Sequence, residues 1–209
     1  VTHEVTGRQQ AWEVLAERLE LEAAQPQANR LKVLLNLPSN AAVAPVYRSR
    51  LPVPGAQQAQ LYLLDYTEVQ PHYPAPRMTS VCLLVLAEAV VSVGLKASRK
   101  RHKVLAGLEA SAAGGEVLAF QHDPGFEAAT TVIARDVALA HQLLTPPVRH
   151  RLKLALTERN CEPTFLLGEK QLVFSVSASS PTPLSCLEQL SVDLLSLYAY
   201  LDGGAKTKP

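Results

Sequence analysis

A chain of 209 residues with 47% hydrophobic and 19% charged residues is long enough to bury a core and too apolar to stay disordered. Its formal net charge of +1 supplies no global field, so any attraction of nucleic acid or anionic lipid has to come from a local patch. Aromatic residues are only 5% of the chain, which leaves Ala, Leu and Val to build most of the interior around Trp12 and the few Phe and Tyr residues.

The chain opens at Val1 without an initiator Met, which reads as trimming or processing, and no targeting segment is evident in it. Thr6 followed by Gln9 has the spacing of a capping box. Trp12, Leu15, Ala16 and Leu19 then recur at helical spacing and predict an amphipathic helix with one buried face. From 23 to 58, five prolines punctuate short apolar pieces. Leu31 to Leu37 and Val43 to Tyr47 read as edge strands or ordered loop. Leu61 to Thr67 and Met78 to Leu86 have strand composition, and the proline-rich link Glu68 to Arg77 reads as a long hairpin loop. The most apolar run, Val81 to Leu95, carries Glu88 and falls short of the roughly 20 residues a bilayer span needs. It is expected to form two buried strands, the second over Val90 to Leu95.

The basic run K-A-S-R-K-R-H-K follows, read as a solvated loop. A short helix bearing Val104, Leu105 and Leu108 comes next, closed by Gly114 and Gly115. Glu116 to Phe120 and Thr130 to Ala134 are expected as strands joined by a turn at Asp123, Pro124 and Gly125. Asp136 is placed to cap a helix through Leu143. Thr145 is placed to cap another, with Pro146 at its first position and Leu152, Ala155 and Leu156 on its inner face. Thr164 to Leu167 and Leu172 to Ser177 form a hairpin through Gly168, Glu169 and Lys170. The serines from 175 to 185 sit where that strand runs into a polar loop. A broad Leu stripe, Leu184, Leu187, Leu190, Leu194, Leu197 and Leu201 with Tyr198, marks a closing helix ended by Asp202, Gly203 and Gly204. Together these predict one α+β domain over 1–204, a mainly antiparallel sheet with helices packed on one face, followed by a tail over 205–209. A faint echo between 1–110 and 111–204 leaves two similar halves open.

With the elements placed, several segments resemble a bacterial family described only as a domain of unknown function, whose α+β domain often follows membrane helices. The matching stretches are R-x-x-x-W-E-V-L-A-E-R-L-E-L from Arg8 to Leu21, L-L-D-Y-T from Leu63 to Thr67, and G-F-E-A-A-T-T-V-I-A-R-D from Gly125 to Asp136. The last continues into H-Q-L-L-T-P-P-V-R-H-R-L from His141 to Leu152. The resemblance implies a membrane tether upstream of Val1, and hence a cytoplasmic or membrane-tethered location, and it brings no catalytic residues with it.

Chemistry-bearing patterns are sparse. The six His residues are far apart, and Cys82, Cys161 and Cys186 include no CxxC pair, so no metal site and no cofactor are expected. The cysteines read as structural thiols in strands and a helix. There is no G-x-S-x-G elbow and no glycine-rich phosphate cradle, so no catalytic residue is assigned. A hydrolase with a site composed from Asp65, His122 and Asp136 would require those three to converge. Lys96, Arg99, Lys100, Arg101 and Lys103 place five cations within eight residues, enough to neutralise phosphate or carboxylate groups of a partner. Arg149, Arg151, Lys153 and Arg159 extend this patch if folding brings the two groups together. Neither group contains an aromatic residue, so lipid headgroups or an acidic protein stand ahead of nucleic acid as the partner. The leading expectation is a non-catalytic interaction or scaffold domain, with nucleic-acid binding through 96–103 as the alternative.

Overall fold

The stretches of strand composition over 61–67 and 78–86 become inner strands of a nine-stranded sheet in the computed structural model, which describes residues 2–50, 59–68, 77–87, 93–178 and 182–206. The strands are β1 (Leu21–Ala23), β2 (Ala42–Ser49), β3 (Ala59–Glu68), β4 (Arg77–Leu86), β5 (Leu95–Arg99), β6 (Glu116–Val117), β7 (Thr130–Ala134), β8 (Pro163–Leu167) and β9 (Gln171–Ala178). They lie in the order β1-β2-β3-β4-β9-β8-β5-β7-β6, each antiparallel to its neighbours. The helices are α1 (Thr2–Arg18), α2 (Ala28–Leu34), α3 (Lys103–Ala113), α4 (Pro124–Ala129), α5 (Val137–Leu143), α6 (Pro146–Thr157) and α7 (Leu184–Lys206). The chain is therefore an α+β protein with an antiparallel sheet. Pairing of β4 with β9 joins the first four strands to the other five.

Most helices share one sheet face. Trp12 and Leu15 of α1, Leu152 and Leu156 of α6, and Leu187, Leu190, Leu194 and Leu197 of α7 are buried against Leu63, Leu84, Phe165 and Phe174. Each of those leucines contributes about 1.5–3 kcal/mol on removal from water, which explains why the long Leu stripe turns inward. Trp12 also stacks on Tyr47, with ring centroids 5.5 Å apart. The opposite face carries a smaller core, in which Leu31 of α2 covers Val46, Leu64, Val81 and Leu83. Further along that face, Glu109 of α3 pairs with Lys96 of β5. The sequence pattern thus placed the main helical layer, while α2 and α3 occupy the other side.

Local differences from the sequence reading have physical causes. The first helix begins at Thr2, so Thr6 lies inside it and is not a cap. Of Leu31 to Leu37, read as edge strand or ordered loop, the first four residues belong to helix α2, which buries Leu31. Val43 to Tyr47 does form a strand, with Pro45 at a register shift between Val43 and Val46 where its missing N–H breaks no ladder bond. Of the strand expected at 90–95, residues 90–92 lie outside the described residues, as does the link 69–76. Val93 and Gly94 are not strand, and the strand starts at Leu95 and takes in the basic run. Leu95 and Ala97 enter the core while Lys96 and Ser98 face away, which is a half-buried strand's alternation. Between β6 and β7 the expected turn is a whole helix, α4, whose Asp123 side chain accepts from the Phe126 N–H at 3.1 Å. Asp136 caps α5 as expected, accepting from the Leu139 N–H at 2.9 Å. Gly114 ends α3 with φ of 65°, and a Cβ on Gly115 would lie 2.8 Å from the Ala134 carbonyl oxygen of β7. At the other end of the chain, α7 continues through Gly203 and Gly204 to Lys206, since a helix already formed propagates at little cost.

The cysteine reading is corrected as well. Cys161 and Cys186, expected as free thiols, form a disulfide across 25 residues, and only Cys82 is a free, buried thiol. The bridge ties the segment before β8 to the first turn of α7. Substituting Cys186→Ser is expected to lower stability by about 2–4 kcal/mol, chiefly by releasing the unfolded chain. A denaturant titration of wild type with and without reductant checks this, and thiol labelling of the unfolded chain should modify one cysteine before reduction and three after.

Candidate functional site

On the α3 side of the sheet, strands β4, β9, β8 and β5 leave a groove of about 450 Å³ uncovered. Because successive strand residues point to opposite faces, placing Ala97, Phe165 and Phe174 in the core turns Ser98, Thr164 and Ser175 into the groove. Register sets these three hydroxyls side by side, Ser98 opposite Thr164 and Thr164 opposite Ser175, at strand spacings of about 4.8 Å. None of the three hydroxyls has a hydrogen-bond partner among the described residues, although Ser98 is only 5% exposed. Ser177, two residues beyond Ser175, hydrogen-bonds Thr79 at 2.8 Å.

Cations line one end of this row. Arg77 begins β4, Arg99 ends β5 with Lys100 and Arg101 just beyond it, and the antiparallel register brings them to the same edge of the groove. Lys96 lies on the other side of Ser98. Several are held in place. Lys96 pairs with Glu109, which also sits 3.6 Å from Arg101, and Arg99 lies 3.6 Å from Glu162 while donating to the Thr157 carbonyl at 3.0 Å. Lys100 donates to the Glu127 carbonyl at 2.8 Å. Glu162 is the one carboxylate lining the groove among the described residues, and with Glu109 behind the rim it only partly offsets the five cations. No aromatic side chain lines the groove among those residues. Lys103 starts α3 just beyond the rim and is exposed. Alongside it, α3 buries only Ala106 and Ala110 and leaves Val104, Leu105 and Leu108 more than half exposed.

Four of the five residues 96–103 singled out by sequence thus converge on one groove. The second basic group does not join them. Arg149 is drawn to Asp123 at 2.7 Å and lies over the Phe120 ring at 5.7 Å, beside His122 and His141. Hydrogen bonding from Arg149 lowers the Asp123 pKa below the usual carboxylate range. Arg151 and Arg159 instead clasp the buried Asp193 of α7.

The proposed composite site fares no better. Asp65 is buried under α1 and takes hydrogen bonds from Arg8, Trp12 and Ser80; His122 lies in the small Arg149 cavity; and Asp136 caps α5. These three environments share no contact among the described residues. No group of three or more His, Cys, Asp or Glu residues able to hold a metal occurs among the described residues either. The Cys82 thiol, enclosed in β4, is pushed upward in pKa by burial and is not a ready nucleophile.

Arg77 and the hydroxyl row escaped the sequence reading. Ser175 and Ser177 lie within β9, in the strand expected over Leu172 to Ser177, but no motif in the sequence marked the face they line. The available signal was polar alternation repeated in three strands, at Lys96 and Ser98, at Thr164, and at Ser175 and Ser177. Comparison with protein-family models, curated proteins and solved structures returns no match for the chain.

Proposed function

We propose that this is a non-catalytic interaction domain that docks an anionic partner, an acidic protein segment or an anionic lipid surface, in the groove bounded by Lys96, Arg99, Lys100, Arg101 and Arg77. The observation that carries this reading is the gathering of five cations around one open groove in a protein whose overall charge is close to neutral. Among the described residues no base is hydrogen-bonded to a hydroxyl of the groove lining, so the reading is one of binding. The exposed apolar residues of α3 next to the rim offer added contact area to a partner already seated there. Nucleic acid is the alternative partner and ranks lower, because no stacking platform for bases lines the groove among the described residues.

The resemblance in sequence pattern adds a place for this activity, that of a bacterial domain held near a membrane by a segment outside this chain. No helix among the described residues is long and apolar enough to cross a membrane.

Replacing Arg99→Glu, Lys100→Glu and Arg101→Glu together is the test. Wild type is expected to bind polyglutamate and anionic vesicles in a salt-sensitive way, and the triple variant to lose about tenfold or more in affinity, equivalent to about 1.4 kcal/mol or more. A wild-type protein that ignores both probes at low salt would refute the reading. Preference for single-stranded oligonucleotides over both would favour the alternative.

A further inference from the structure

We propose that the groove seats a phosphorylated polyol, with the polyol hydroxyls on the Ser98, Thr164 and Ser175 row and the phosphate among Arg77, Arg99 and Arg101. The inference rests on the groove being an anion-binding site and names the ligand it takes.

The two ends of the groove have different chemistry. Arginine side chains only donate hydrogen bonds and carry charge, which suits an acceptor-only phosphate. Serine and threonine hydroxyls donate and accept, which suits a group that does both, and a polyol is such a group. Three of them in register, one per strand and about 4.8 Å apart, present a line longer than one phosphate can occupy. A bare anion would satisfy the arginine end and leave the row unused. Ser98 is the sharpest pointer: the residue is only 5% exposed, and it lines the groove with a hydroxyl that has no partner among the described residues. What exposure it keeps leaves the hydroxyl free to bond a group seated in the groove.

Size and composition narrow the class further. A volume of about 450 Å³ lies within the roughly 300–1,000 Å³ of small-molecule sites. Among the described residues the lining holds no aromatic platform for a nucleobase, which favours a polar body attached to the phosphate. A sugar phosphate and the inositol phosphate head group of a phospholipid share this chemistry and differ only in what is attached.

The full chain should be titrated calorimetrically with glucose 6-phosphate, inorganic phosphate, glucose and polyglutamate, and floated with phosphatidylcholine vesicles alone or containing phosphatidylinositol or phosphatidylserine. Expected is preference for the phosphorylated polyol over inorganic phosphate and over glucose. Removing the row by Ser98→Ala, Thr164→Val and Ser175→Ala should weaken that binding roughly tenfold or more, as loss of two or three neutral hydrogen bonds predicts, and weaken polyglutamate binding, which the cations carry, by much less. Circular dichroism verifies that the triple variant is folded, and Thr164→Val alone gives a smaller loss in the same direction. Binding of glucose 6-phosphate in solution points to a soluble ligand, and retention on phosphatidylinositol vesicles but not on phosphatidylserine vesicles of equal charge to a head group; each bears the proposal out. It is overturned if neither polyol phosphate is preferred, or if the folded triple variant binds as wild type does. Persisting polyglutamate binding would then leave the interaction reading intact, whereas a wild type blind to polyglutamate, anionic vesicles and phosphate alike would bring down both.

Discussion

Asp65→Ala is expected to destabilise the protein by about 3–5 kcal/mol, since removing one partner of a buried ion pair leaves the other uncompensated. Asp65 is 2% exposed and lies on β3 beneath α1. Its carboxylate accepts from Arg8 at 3.0 Å, from the Trp12 indole N–H at 2.8 Å and from the Ser80 hydroxyl at 2.6 Å. Arg8 also donates to the Thr182 carbonyl just ahead of α7, so one carboxylate fastens α1, two central strands and the approach to α7. Alanine would strand a guanidinium that is only 16% exposed, and would leave the fully buried indole N–H and Ser80 hydroxyl without their acceptor. Urea unfolding of Asp65→Ala, Arg8→Ala and the double variant measures the effect. The double variant should cost less than the two singles summed, with a coupling of about 0.5–3 kcal/mol. An Asp65→Ala protein that unfolds at the wild-type urea midpoint would refute this structural role and reopen Asp65 as a functional carboxylate.

Asp65 also illustrates where the sequence stops being legible. An acid in an otherwise apolar strand reads equally as a functional group or as an edge charge, and only the arrival of Arg8 from 57 residues away decides between them. Elements carried by local periodicity, such as the Leu stripe of α7, the Asp136 cap and the hairpin through Gly168, could be read directly because their causes lie within a few residues. Contacts between distant segments could not. The bridge from Cys161 to Cys186 has no local motif and depends on α7 crossing the segment that leads into β8. The groove was half legible for the same reason. A run of cations is visible in any sequence, but its placement on a strand depends on Leu95 and Ala97 finding a core, and the hydroxyl row exists only through the pairing of three strands. Arg149, Arg151 and Arg159 looked like more of the same charge, yet each is drawn to a carboxylate on another element.

Arg159→Ala is expected to destabilise by about 3–5 kcal/mol, because it exposes an asymmetry within the Asp193 cluster. Asp193 is 1% exposed on α7, with Arg159 donating to it at 2.6 and 3.0 Å and Arg151 at a longer 3.5 Å. Without Arg159 the carboxylate stays enclosed with one distant cation. Asp193→Ala should cost less, about 1–3 kcal/mol, since Arg151 and Arg159 are 34% and 23% exposed and can turn their guanidinium groups to water. The effect also reaches the groove. Arg159 and Cys161 are two separate fastenings of the short segment between α6 and β8, and that segment positions Glu162 and Thr164 at the groove. Losing the ionic fastening while the disulfide remains should therefore leave anion binding measurable in the folded fraction, and losing both should abolish it. Equal destabilisation by Arg159→Ala and Asp193→Ala in parallel denaturant titrations would contradict the asymmetry. Undiminished groove binding in an Arg159→Ala, Cys161→Ser double variant would show that this segment does not set the geometry of the site.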